Sequence, residues 1–343
     1  MTAISDSVVL PKVYRESIVV DCLNVMALTS DNVENARRAG VTALNYTAVR
    51  PRSDLLEAMR DLARVREAVE AHEDLSMILS AEDIRRAKAE GTVGIIFGMQ
   101  DAKPIGDELA FLRTFHDLGI RIIQLTHNTQ SWIGTGCIEP DNGLTRFGRR
   151  VVEEMNRLGI LIDIAHCGPR TTLDAIESSE RPVICSHSNP LAVCDSPRNK
   201  TDDVLERLAQ AGGVIGIAFW SPMSFRDRNR RPTLEDVLAC FDHALELIGS
   251  EHVAIGTDLC DGLYTTATRE QWEVRHGTKG DYPEVTGILG DWYGLETWFA
   301  EQLDSIAKLP DLARALIERG FDEDQMRCVL GENFIRVFER ATA

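Results

Sequence analysis

Residues 159–199 read GILIDIAHCGPRTTLDAIESSERPVICSHSNPLAVCDSPRN, and no other stretch limits the possible folds so tightly. Two apolar runs, 160–165 and 182–185, are each followed closely by a histidine, His166 and His187. Between them lies a segment with the polar and apolar spacing of one short helix. Strand, helix, strand, with a polar residue at the C-terminal end of each strand, is a βαβ unit that carries functional groups on one rim. In a parallel barrel those rim positions face a common centre, where two imidazoles can share a metal ion. One histidine at a strand end is commonly structural. Two on consecutive strands predict a site.

The rest of the chain repeats this unit. Short apolar runs at 17–23, 40–46, 93–98 and 120–126 precede the pair, and others at 213–219 and 252–257 follow it. Helical spacing occupies 54–71, 81–90, 108–118, 144–158, 202–211 and 233–248, with Ser80 placed to cap the second of these. Eight continuously apolar strands alternating with helices predict an α/β fold, a TIM-type (β/α)8 barrel, with extra helices from 298 to 338. A doubly wound open sheet is the alternative, but no G-x-G-x-x-G follows the first strand. No break in composition divides the chain, so 1–343 reads as one domain. Residues 260–297 read as a long loop carrying Tyr264, Trp272, His276, Tyr282, Trp292 and Tyr293. Set on the C-terminal rim, such a loop would cover the barrel mouth; packing on its own aromatics at the surface is the alternative.

A formal net charge of −17 argues against nucleic acid and anionic membrane as partners. Residues 1–17 lack the basic start and apolar stretch of a secretory leader, and no apolar run reaches membrane-spanning length. The eight cysteines have no paired C-x-x-C spacing and read as reduced thiols. A cytoplasmic protein acting on a small molecule is the expectation.

The strand ends then supply a candidate site. His127 closes the fourth run, His166 and His187 the fifth and sixth, and Asp258 the eighth, with Arg198 shortly behind the sixth. Imidazoles, a carboxylate and a guanidinium around one mouth suit metal-assisted hydrolysis of a substrate bearing a carboxylate. The run LTHN…GLTRFGRRVVEEMNRLGILIDIAHCG…PVICSHSNPLAVCDSPRN…GGVIGIAF…VAIGTD closely resembles the renal (membrane) dipeptidase family over about residues 10–340. These are zinc dipeptidases on a metal-dependent amidohydrolase barrel. The resemblance implies that His166 and His187 bind the second of two metals. It also implies that His127 and Arg198 hold the substrate, that Asp258 moves the proton to and from the bridging water, and that the chain forms a homodimer.

The sequence departs from the family where the first metal should sit. The family's strand-one motif is D-G-H-N-D, whose histidine and second aspartate bind that metal; here the stretch is Asp21-Cys22-Leu23-Asn24-Val25. The family's bridging glutamate is Gln100. Two dications about 3.5 Å apart repel by roughly 20 kcal/mol at an effective dielectric near 20, and the carboxylates that offset this are missing. The expectation is at most one zinc ion per chain, or none, on His166 and His187. Gln100 or Asp258 with water would complete its shell, and Gln100 is also a candidate substrate contact. Leu23 and Val25 would make the vacated side apolar, ready for a hydrophobic part of a substrate. A thiolate from Cys22, Cys167 or Cys185, or the imidazole of His276, is the alternative source of a ligand. Three functions follow: a hydrolase with one metal and weak or altered dipeptidase activity, a metal-free acid–base enzyme, or a silent relative that binds a small carboxylate.

Overall fold

The computed structural model describes residues 10–343, so most of the segment read for a leader lies outside the described residues. Among the described residues nine strands form one parallel sheet: β1 Val20–Asn24, β2 Ala43–Val49, β3 Leu75–Ile78, β4 Val93–Met99, β5 Ile122–Gln124, β6 Leu161–Asp163, β7 Ile184–Ser188, β8 Val214–Ile217 and β9 Val253–Ile255. β1 pairs with both β2 and β9, and β2 pairs with β4, so eight strands close a ring. The open-sheet alternative is thereby excluded. Apolar runs this continuous are what a strand needs when both of its faces are covered.

The ninth strand, β3, corrects the sequence reading, which placed no strand there. β3 pairs with the first half of β4, Val93–Ile96, while β5 takes Gly98 and Met99 further along. Only Leu75 and Ile78 of its four residues are buried, too few to make an apolar run.

Helices cover the ring, and their limits follow local chemistry. Asp54 and Glu57 form a reciprocal capping box on helix Leu55–Glu70, and Ser80 and Asp83 do so on Ala81–Glu90. The C-terminal helix Asn333–Thr342 packs Phe334, Ile335 and Phe338 against Val20, Ile96, Ile122, Leu161, Ile184 and Val214 of the ring. That apolar cluster closes the end where the strands begin and leaves the opposite end for polar groups. Above it the strands come close together. A Cβ on Gly216 would sit 2.1 Å from the Ser186 carbonyl oxygen and one on Gly256 1.9 Å from it, so only glycine fits at either position.

Residues 260–297 are not a structureless loop. They hold short helices at Thr266–Thr268, Arg269–His276, Pro283–Thr286 and Leu295–Thr297. Trp272 is buried among Tyr293, Trp298 and His276, which supplies the segment with a small core of its own.

Candidate active site

Two side-chain braces set the rim. Asp163, the last residue of β6, accepts hydrogen bonds from the backbone N–H groups of Ala165 and Ser186, each 3.0 Å, and from the Ser186 hydroxyl at 2.6 Å. Asp21 on β1 does the same with the N–H of Leu23 at 3.2 Å, the N–H of Thr257 at 2.8 Å and the Thr257 hydroxyl at 2.6 Å. Each brace ties neighbouring strands and delivers the next residue to the mouth: His187 after Ser186, Asp258 after Thr257. Burial pushes the Asp21 carboxyl up to about 6, partly countered by its Thr257, Asn24 and Leu23 donors.

The hydrogen bonds also fix the proton positions on two imidazoles. Ser186 gives its proton to Asp163, so its oxygen accepts from His187 Nδ1 at 2.8 Å. His166 Nδ1 lies 2.6 Å from Asn128 Oδ1, an acceptor, and therefore carries the proton there. Burial, then the positive field of Arg198, holds both rings far below the usual histidine range, so both are neutral. Each ring is thus left with a lone pair on Nε2, and those two nitrogens face each other at 2.9 Å.

His127 stacks on His166 with ring centroids 4.1 Å apart, and its Nδ1 meets the Tyr282 hydroxyl at 3.1 Å. Arg52 donates to that same hydroxyl and to Asp281, both at 3.0 Å. Arg198 is fully buried; its Nη1 donates to the Ala165 carbonyl at 2.8 Å, while Nε and Nη2 have no partner. Asp258 is partly buried, with a left-handed backbone, φ 59°, and its N–H donates to the Leu23 carbonyl. Burial pushes its carboxyl up to about 7, with Arg198 opposing and Asp21 adding to the shift.

A cavity of about 270 Å³ joins these groups, with Val25, Gln100, His127, His166 and Asp258 in its wall. Gln100 spends its amide N–H on Thr47 at 2.7 Å. His187, Arg198 and Leu23 are buried and do not line this cavity. The sequence reading missed Asn128, the Ser186–Asp163 brace and Arg52, and it set Tyr282 in the loop over the mouth without pairing it to His127. Asn128 adjoins His127 and Ser186 adjoins His187, a usable signal, whereas nothing local marks Tyr282 as the partner of His127. Cys22, Cys167 and Cys185 are buried and none of them lines this cavity, and burial pushes the Cys167 thiol up to about 11, Cys185 up to about 12 and Cys22 higher than usual. His276 lines the same cavity but packs on Trp298 and Tyr264, at 4.9 and 5.5 Å between ring centroids.

The donor set can be tested against zinc. Among the described residues no three His, Cys, Asp or Glu side chains are grouped to hold an ion. A pair of zinc ions does not fit, because Leu23 and Val25 offer no donor atoms. The facing imidazoles are the donors left for one ion. Tetrahedral bonds of ordinary Zn–N length need nitrogens about 3.3 Å apart, so the rings, now 2.9 Å apart, would part slightly to take it; both donate their other N–H to an anchoring oxygen.

A parallel barrel with histidines and an aspartate at the C-terminal rim defines the class. The profile described as membrane dipeptidase (peptidase family M19) matches residues 11–271 and 280–343, and the chain belongs to that family. A similar curated relative is an uncharacterized dipeptidase of Schizosaccharomyces pombe, 31% identical over 274 residues. That match covers 78% of this chain but only 58% of the yeast protein's length. Among crystal structures, an amidohydrolase from Pseudomonas aeruginosa is 29% identical with TM-score 0.86, covering 96% of this chain and 98% of that one. A metallopeptidase from Rhodobacter sphaeroides, liganded with a phosphinate mimic of the dipeptide L-Ala-D-Ala, shares the fold: TM-score 0.77, 21% identity, 95% of this chain and 100% of that one. Among the described residues no helix is long and apolar enough to cross a membrane.

Proposed function

We propose that the chain hydrolyses a small, dipeptide-like amide bearing a carboxylate, with no more than one zinc ion and with weak activity on ordinary dipeptides. The observation that carries this reading is the pair of anchored imidazoles whose Nε2 lone pairs meet at 2.9 Å, one of them, His166, in the wall of the cavity that Asp258 also lines. Two lone pairs that close repel unless a cation or a shared proton lies between them. His166 and His187 would hold the ion, and when bound zinc supplies a Lewis acid beside the scissile amide.

The protein's own groups do the rest. Arg198, whose Nε and Nη2 are unpartnered, lies just behind the cavity wall rather than in it, and would take the substrate carboxylate once the substrate displaces that wall. His127, kept neutral, orients the amide, and Gln100, in the wall of the same cavity, contacts it. Asp258 removes a proton from the attacking water at its carboxylate oxygen and passes it to the amide nitrogen as the C–N bond breaks. A pKa pushed up to about 7 suits both directions of transfer. Val25, with Leu23 behind it, favours an apolar substrate group on the side where the family binds its first metal.

Segment 260–297 acts as a cover over the mouth, held down where Tyr282 meets His127 and Arg52. The chain works as a single domain over 1–343, as a cytoplasmic homodimer. Elemental analysis of protein purified without chelator, run beside dipeptide turnover, is the test. One zinc or fewer per chain with slow turnover is expected; two zinc ions, or turnover of tens per second, would overturn the reading. No zinc even after it is supplied would assign the 2.9 Å contact to a shared proton and the chemistry to a metal-free enzyme.

A further inference from the structure

The charge of the mouth opposes the charge of the chain. Overall the protein carries −17, yet the 270 Å³ cavity is lined by Arg50, Arg52, Arg64 and Arg275. Asp61 serves both Arg50 at 2.9 Å and Arg64 at 3.4 Å, and Asp281 serves Arg52 at 3.0 Å. Arg275 has no ion-pair or hydrogen-bond partner for its guanidinium among the described residues. A larger neighbouring cavity of about 980 Å³ shares Arg52 and His127 and adds Lys103 and Arg146. Its one carboxylate, Asp101, is bonded to the backbone N–H groups of Arg52 and Lys103. In the smaller cavity the four arginines outnumber the three aspartates, Asp61, Asp258 and Asp281, and a mouth with a surplus of one sign attracts the opposite sign.

The hydrogen-bonding inventory points the same way. The indole N–H of Trp298, 6% exposed and in the wall of the same cavity, has no acceptor. The only aspartate in that wall without a cationic partner is Asp258, assigned above to proton transfer. Donors and a cation await a ligand, and no free carboxylate awaits an ammonium group. An ordinary dipeptide brings one carboxylate, for Arg198, and an α-ammonium with no counterpart here.

We propose that the substrate is a dianion, an amide with a carboxylate on each side of the scissile bond: one for Arg198, the other for Arg275 and the indole N–H of Trp298. This rests on the hydrolase reading and narrows its substrate class from dipeptides to N-dicarboxyacyl amino acids. The hydrolysis itself is unchanged: water adds to the carbonyl carbon, the C–N bond breaks, and a dicarboxylic acid and an amino acid leave.

Three amides separate the possibilities: N-succinylglycine, a dianion; N-acetylglycine, a monoanion; and glycylglycine, a zwitterion. Their kcat/KM values and calorimetric affinities are measured on the full chain supplied with zinc. N-succinylglycine should exceed both others by at least ~10-fold, with the advantage shrinking in salt. Arg275→Gln, on an exposed helix face, and Trp298→Phe, which keeps the ring and removes the N–H, should each reduce the succinyl-to-acetyl ratio several-fold. Equal use of all three amides, or an unchanged ratio in both variants, would overturn the proposal while leaving the hydrolase reading intact. Tight binding of the dianion with no turnover of any amide would support the proposal and overturn the hydrolase reading. Absence of any binding preference would overturn the proposal.

Discussion

The two sides of the mouth are built alike and equipped differently. On one side Asp163 braces Ser186 and Ala165, and on the other Asp21 braces Thr257 and Leu23, with matching donors at matching chain offsets. The first brace presents His166 and His187, each anchored through Nδ1. The second presents Leu23, Asn24 and Asp258, with Val25 and Gln100 further along; Asn24 is committed to Asp21 and the Met26 N–H, which leaves Asp258 and Gln100 for polar chemistry. The bracing bonds therefore serve the strands whether or not a metal is held above them. Chemistry can be lost from one half of such a mouth without loss of the frame.

The largest expected effect comes from making the halves equal again. Leu23→His, Val25→Asp and Gln100→Glu together should admit a second zinc and raise dipeptide turnover by up to ~10³-fold. Elemental analysis with steady-state kinetics checks this, and an unchanged metal content would mean that the second brace cannot present ligands. Next in size is Asp258→Asn, expected to lower kcat about 10²- to 10³-fold. In the parent protein kcat/KM should rise as pH passes about 7 and Asp258 ionises, and that limb should vanish in the variant.

A smaller loss should follow on the metal-bearing side. Ser186→Ala removes the acceptor of His187 Nδ1 and should weaken zinc binding by about 10- to 100-fold, read by competition with a chelator. Smallest is an effect on stability. Asp258 binds a proton more tightly in the folded chain than in the unfolded one, so its contribution to stability is lost as pH rises from about 4 to about 7. Asp258→Asn should therefore raise Tm by a few degrees at pH 8 and not at pH 4, as scanning calorimetry would show.

The ring strands were legible because a strand buried on both faces must be apolar throughout, and 93–98 against Val93–Met99 shows how closely such a run is delimited. β3 escaped because half of its residues face partly outward. His166, His187 and Asp258 were legible from their places just beyond apolar runs. Tyr282 was not, because its position depends on Arg52, 230 residues away in the chain. The short helices of 260–297 were hidden for the same reason: Trp272, Tyr293 and Trp298 order that segment through each other rather than through local periodicity.

The left-handed backbone at Asp258 bears on how the chain can drift. With φ at 59°, that position accepts glycine, asparagine or aspartate readily and penalises most other residues by about 1 kcal/mol or more. A lineage that abandoned hydrolysis would still be biased toward those three letters, though Arg52 at φ 66° and Gln302 at φ 74° show that others are tolerated, and two of the three cannot move a proton. The acid is thus the one member of a very short alphabet that selection for catalysis would single out. A survey of relatives bearing Leu23 and Val25 could read their history from this position alone: aspartate where turnover was kept, glycine or asparagine where only the frame survived.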